Sequence, residues 1–335
     1  MSNFEIIFSN LSEQNFQNEQ IQTPKPKKRI GTWLNVLLFI LTFFSTTLAG
    51  VAWLNKDPFE LSNFHYGLTY SLLILFFLSC HEFGHYFAAK LHKVEVTLPF
   101  YIPFPLILNP FGTMGAVIRM RSPSQTRKAL FDIGIAGPVA GFIACLLILI
   151  IGMTTLPPFD YIYEIHPEYK LTGVPTSGFS FGNTLLFWLF GKIFASSPDV
   201  FLPPMNEVYH YPFLCVGWFG LFVTSLNLLP VGQLDGGHII YALFGNKHKY
   251  IARIFFALIF AMGLLGLLPF AGINLFADYG LINWLVWSLL IFFVIKIEHP
   301  PLLDNEPVDF KRKIWGVIAL LIFVSSFTPS PFSNF

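Results

Sequence analysis

Residues 31–54 run without one ionisable side chain. About 20 apolar residues suffice for a helix to cross the hydrocarbon core of a bilayer, so this run alone directs the chain toward lipid. Six more stretches repeat the pattern, at 64–90, 130–153, 211–231, 250–270, 280–297 and 313–328. Composition agrees. Hydrophobic residues make up 54% of the 335 and charged residues 12%, with 40 Phe. A soluble domain carries about 25% charged residues, so half that share cannot cover a globular surface of this size. A disordered chain, a nucleic-acid-binding protein and an ordinary cytosolic enzyme are excluded. The expected fold is an all-α polytopic membrane protein with about seven transmembrane helices and a small membrane-associated β-hairpin.

The basic residues orient these spans. With residues 1–30 as a flexible cytoplasmic tail and seven alternating spans, only Lys56, Lys170 and Lys192 of the 20 Lys and Arg fall outside. That is a strong positive-inside bias. The apolar stretch 178–195 would reverse every later loop if it crossed, so it reads as an interfacial or re-entrant piece. The tail ends in the basic run Pro24-Lys25-Pro26-Lys27-Lys28-Arg29 and has neither the apolar core of a signal peptide nor the Arg-rich, acid-poor character of a transit peptide. The expected location is therefore a bacterial cytoplasmic membrane. Cys80, Cys145 and Cys215 show no C-x-x-C spacing and read as buried thiols.

Ionisable side chains inside spans are costly and mark function. The second span holds His81-Glu82-Phe83-Gly84-His85. Histidines at i and i+4 share one helix face, which suits two imidazoles on one zinc ion, and the intervening Glu is placed to act as general base. A third ligand is needed. The candidates are Asp235, His238 and Asp132. Asp235 is favoured, because Pro230 and Gly232 break the preceding helix and Gly236-Gly237 permit close backbone approach. Both clusters fall at cytoplasmic span ends, hence at one depth. His65, His92, His166, His210, His248 and His299 lie in loops or at span ends and carry no assigned role. Arg119, Arg121, Arg127 and Lys128 read as headgroup anchors.

The pairing of His-Glu-Phe-Gly-His with the distant Asn227-x-x-Pro230-x-x-x-Leu234-Asp235-Gly236-Gly237 resembles the site-2 protease family of intramembrane zinc metalloproteases. Residues 111–118 resemble that family's membrane-associated hairpin, and 134–141 its Gly-Pro element in the third helix. The likeness covers about 64–245. It implies one Zn2+ per chain held by His81, His85 and Asp235, Glu82 as catalytic acid/base, and Asn227 near substrate or oxyanion. Residues 64–245 are then the protease core. Residues 31–63 form the first span and outer loop, and 246–335 additional C-terminal spans. The implied partners are the lipid bilayer and a membrane-embedded protein substrate, such as a single-span regulator or signal-peptide remnant, with no nucleic acid.

Residues 94–120 combine strand-forming side chains with Pro99, Pro103, Pro105 and Pro110, which forbid a helix. A hairpin here, with Gly112 and Gly115, is expected to pair with an unwound substrate by strand addition. The connection 154–210 is too short and Pro-rich for the PDZ domain that some family members carry. A zinc transporter would spread its ligands along a path, and an inactive scaffold would be expected to have lost Glu82.

Overall fold

The computed structural model describes residues 31–121, 126–175, 177–195, 200–273, 275, 281–302 and 306–334. The expected tail, 1–30, lies outside them. The chain divides into Met1–Leu34 and Asn35–Phe335, and the architecture below concerns the second unit.

Helix α1 (Thr32–Trp53) grows from the uncharged run. A 3-10 turn, Leu61–Gly67, leads into α2 (Leu68–Leu91), which carries the histidine motif in its last third. Strands β1 (Phe100–Pro103) and β2 (Thr113–Val117) follow, then α3 (Arg127–Thr154). The Thr126 side chain caps α3 by accepting from the Ala129 amide. Two short helices, α4 (Tyr161–Ile165) and α5 (Tyr169–Thr172), precede β3 (Phe179–Phe181) and α6 (Leu185–Phe194). Helix α7 (Pro212–Asn227) opens with Pro at its first position and is buried along nearly its whole length. Then come α8 (Asp235–Phe244), α9 (His248–Leu265), α10 (Asn283–Leu290), which runs on into a π-helical turn Ile291–Ile295, α11 (Phe310–Ser326) and β4 (Phe332–Asn334).

Among the described residues, four helical stretches are long and apolar enough to cross a membrane: Thr32–Trp53, Leu61–Leu91, Arg127–Thr154 and Asp235–Ala271. The expected count of about seven is not confirmed. The other three apolar runs fold as shorter helices. Helix α7 has 16 residues, Asn283–Ile295 is shorter again, and α11 has 17. At 1.5 Å per residue, α7 covers about 24 Å, less than the hydrocarbon core. Its apolar surface is spent on protein neighbours, which hydropathy cannot tell from lipid. The stretch 178–195 becomes β3 and the ten-residue α6.

Helix α3 is the hub. It packs along α2, α7 and α8, so the two motif-bearing segments meet on its surface. The expected hairpin forms: β1 and β2 pair antiparallel, with Phe100 opposite Val117 and Tyr101 opposite Ala116, and a bulge before Pro103. Beyond the strands, Val96 bridges Met120. A second small sheet pairs β3 with β4, where Phe181 stacks on Trp218 at 4.3 Å between centroids. All three cysteines are free, with Cys145 and Cys215 buried.

Candidate active site

The α-helical spacing stacks His81 over His85 on the buried face of α2. Their Nε2 atoms stand 3.1 Å apart. Helix α7 ends at Asn227, and the turn through Pro230 and Gly232 reverses the chain so that α8 starts at Asp235. A Cβ on Gly236 would meet the Leu228 carbonyl at 2.0 Å. Only glycine lets the start of α8 lie this close to the turn, and Asp235, its first residue, thereby reaches α2. Its Oδ2 is 3.4 Å from His81 Nε2 and 3.3 Å from His85 Nε2.

Those three separations can be tested against a metal site. Tetrahedral zinc with bonds of about 2.0–2.1 Å places its donor atoms about 3.3–3.4 Å apart. The observed triangle of 3.1, 3.3 and 3.4 Å matches that edge length. Two imidazole nitrogens and a carboxylate oxygen are also a donor set zinc accepts. The tautomer fits as well: His85 Nδ1–H donates to the Ile133 carbonyl at 2.7 Å, which leaves a lone pair on Nε2, facing the centre of the triangle. His81 Nδ1 is buried against Gly141 without a hydrogen-bond partner among the described residues.

Glu82 is buried too, and it lines the same cavity as Ile118 at the end of the hairpin. Asn227 Nδ2 lies 3.3 Å from His81 Nε2. A cavity of about 250 Å³ joins these groups. His81, Glu82, His85, Asn227, Asp235 and His238 supply its polar wall, while Ala116, Val117, Ile118 and Met120 bring the hairpin to its rim.

The structure thus gathers His81, Glu82, His85, Asp235 and Asn227. Neither Gly112 nor Gly115 is among the residues lining the cavity. Gly112 adopts φ +72° and a Cβ there would strike the Ser45 carbonyl of α1 at 2.4 Å, so its role is to seat the hairpin on that helix. Asp132 lies elsewhere, held by His92 Nε2 at 2.8 Å and by Arg312 Nε at 2.9 Å. Arg127 is not a headgroup anchor. It is buried and donates from Nε to the Ala242 carbonyl at 2.8 Å, a cation at the C-terminal end of α8. His299, which had no assigned role, accepts from or donates to His238 Nδ1 across 2.8 Å. No spacing in the sequence pointed to that contact, since the two residues are 61 positions apart.

The profile of peptidase family M50 matches residues 69–268. Among curated proteins, the chain is similar to the probable zinc metalloprotease EGY2, chloroplastic, of Arabidopsis thaliana, 28% identical over 268 residues, covering 80% of this chain and 42% of the relative. It is 27% identical to the probable zinc metalloprotease EGY1, chloroplastic, of Oryza sativa subsp. japonica, covering 92% and 52%. The probable zinc metallopeptidase EGY3, chloroplastic, of Arabidopsis thaliana is 27% identical, covering 72% and 39%. The chain spans about half the length of these curated relatives or less. No solved structure matches it. These relatives are plant chloroplast proteins, so the expectation of a bacterial cytoplasmic membrane finds no support. The profile match covers more than half of the chain and spans every element that brings His81, Glu82, His85 and Asp235 together: the chain belongs to peptidase family M50.

Proposed function

We propose that this chain is a membrane zinc endopeptidase that hydrolyses peptide bonds within or near transmembrane segments of other membrane proteins. One observation carries the reading. The Nε2 atoms of His81 and His85 and an oxygen of Asp235 converge at zinc-like separations beside a buried Glu82, on helices apolar enough to cross a bilayer.

In this reading His81, His85 and Asp235 hold the ion. Bound there, zinc supplies a Lewis acid and lowers the pKa of water to about 7. Glu82 takes the proton of the attacking water and delivers it to the leaving amine. Asn227 presents its amide where negative charge develops on the carbonyl oxygen. The polar cavity admits water to a place the bilayer otherwise keeps dry.

A helical substrate must unwind before it is cut, because its carbonyls are internally bonded. The β-hairpin at the cavity rim supplies an edge on which the unwound segment adds as a strand. Proline at Gly112 or Gly115 would not test this cleanly, since both adopt positive φ that proline cannot. Disulfide capture between Val117→Cys, at the exposed end of β2, and a cysteine beside the scissile bond is the direct test. Absence of the cross-link in an otherwise cleaved substrate removes the hairpin from the mechanism. A single-span membrane protein with its active segment at the membrane's basic-loop side is the substrate class this arrangement fits.

The deciding experiment uses the full chain in detergent. Wild type and Glu82→Gln are compared for zinc content and for cleavage of a single-span reporter. Equal zinc with cleavage only by wild type is expected. Cleavage by Glu82→Gln at the wild-type rate would overturn the role of Glu82.

A further inference from the structure

A second cluster of metal-ligating side chains lies at the other end of α7. His166 closes α4, while Glu207 precedes and His210 ends the 3-10 turn Val208–His210 that leads into α7. Asn227 and the first cluster lie beyond the opposite end of that helix, roughly 24 Å along its axis. The two groups therefore cannot share an ion.

Both imidazoles of the second cluster have fixed tautomers. His166 Nδ1–H donates to Glu168 Oε1 at 2.8 Å, and the ring stacks on Tyr169 with centroids 4.5 Å apart. His210 Nδ1–H donates to the Trp53 carbonyl at the end of α1. A neutral imidazole has one N–H, so each ring then presents a bare lone pair on Nε2. These two Nε2 atoms stand 3.0 Å apart. Glu207 Oε2 is 3.4 Å from His210 Nε2 and has no hydrogen-bond partner among the described residues, although the side chain is only 1% exposed. The other oxygen of that carboxylate is satisfied, by Tyr169 Oη at 3.1 Å and Asn206 Nδ2 at 3.3 Å.

Three acceptors thus converge within 4.8 Å of one another, with no donor among them. Buried acceptors that face each other repel unless a cation lies between them. Two of the separations, 3.0 and 3.4 Å, are close to those of the first cluster, and each histidine is held through its outer nitrogen by an oxygen, the usual arrangement around a metal-bound imidazole. We propose that His166, Glu207 and His210 form a second metal site that takes a divalent transition-metal ion of the zinc class. Two imidazoles with one carboxylate suit zinc. The ion joins the end of α1, the α4–α5 segment and the start of α7, which are otherwise far apart in sequence. Its role is to fasten this side of the molecule, and the expected content rises from one zinc per chain to two.

The competing arrangement is a shared proton, with one histidine an imidazolium beside the Glu207 carboxylate. Metal analysis separates the two. The protein is the full chain without a histidine tag, purified in detergent, dialysed and loaded with Zn2+ alone. Two zinc ions per chain are expected in wild type and one in His81→Ala/His85→Ala, which leaves the second cluster untouched. Zinc-edge X-ray absorption of that variant should show imidazole scattering. Adding His210→Ala should remove the remaining zinc. Glu168→Gln, which loosens only the outer partner of His166, should weaken zinc affinity about 10- to 100-fold. Wild type with a single zinc, lost in His81→Ala/His85→Ala, would overturn the proposal in favour of the shared proton.

Discussion

A Cβ added to Gly137 would stand 2.0 Å from His85 Nε2 and 2.3 Å from its Cδ2. The neighbouring element gives the reason. Helix α3 presents Gly137 to the ring of His85 and Gly141 to that of His81, where a Cβ would lie 3.0 Å from Nδ1. Pro138, between them, lacks an amide and so cannot bond back to Gly134. Gly137 and Gly141 are thus the floor on which the two imidazoles lie. Gly137→Ala must push the His85 ring out of the triangle it forms with His81 and Asp235. Overpacking of this kind costs about 1–3 kcal/mol, and a misplacement of about 1 Å at a reacting centre costs about 100-fold in rate. We expect Gly137→Ala to lose zinc and at least 100-fold in turnover, and Gly141→Ala to be milder. Metal content and reporter cleavage check both. Full zinc and full activity in Gly137→Ala would show that the ring has room to move.

Asn227 is 3.3 Å from His81 Nε2, the atom that also faces His85 and Asp235. It can steady that histidine or serve the substrate oxyanion, and kinetics tell these apart. Loss of an oxyanion donor lowers kcat by about 100- to 1,000-fold and leaves ground-state binding intact. Asn227→Ala should therefore retain zinc, keep its KM and lose kcat over that range. A parallel loss of zinc would assign Asn227 to holding His81 instead.

The His-Glu-Phe-Gly-His motif was legible because α-helical periodicity turns a spacing of four into a shared face. Asp235 was legible through the breakers Pro230 and Gly232 and the glycines after it. The floor was not. Gly137 and Gly141 lie on α3 and say nothing about imidazoles on another helix until the two are packed. The second histidine cluster was hidden for a related reason. His166 and His210 are 44 residues apart, and only the E-x-x-H spacing of Glu207 and His210 hinted at a ligand pair. Span counting failed where hydropathy is ambiguous. Helix α7 is as apolar as a lipid-facing helix, yet its side chains are buried among α2, α3 and α11.

His299 is a pH-sensitive point outside the long helices. Its Nδ1–H donates to the Pro300 carbonyl at 2.6 Å, so its Nε2 accepts from His238 Nδ1–H at 2.8 Å. Burial holds the His299 imidazole down to about 4, below the ordinary value of about 6.5. The folded state therefore binds fewer protons than the unfolded state between those values, and stability rises with pH there. The contribution is fully present above about 6.5 and is lost as pH falls toward 4. Unfolding midpoints measured across that window should decline in wild type and decline less steeply in His299→Gln. Identical slopes would place the acid sensitivity elsewhere.

The C-terminal helix α11 is tied to the core by one carboxylate. Asp132, in the first turns of α3, accepts from Arg312 Nε at 2.9 Å and from His92 at 2.8 Å, just past the end of α2. Both the acid and the arginine are less than a third exposed, so screening by water is incomplete. Hydrogen bonds to charged groups are worth about 1.5–3 kcal/mol, and removing Asp132 leaves two donors without it. Asp132→Ala should lower stability by about that amount, and Arg312→Ala by somewhat less, since His92 keeps its partner. The double variant should cost less than the sum of the two, because the side chains share one interaction. Additive losses would show that the pair is decoupled and that α11 is held by its packing on α3, α6, α7 and α8. Neither residue touches the zinc triangle, so the zinc content of both variants should remain that of wild type.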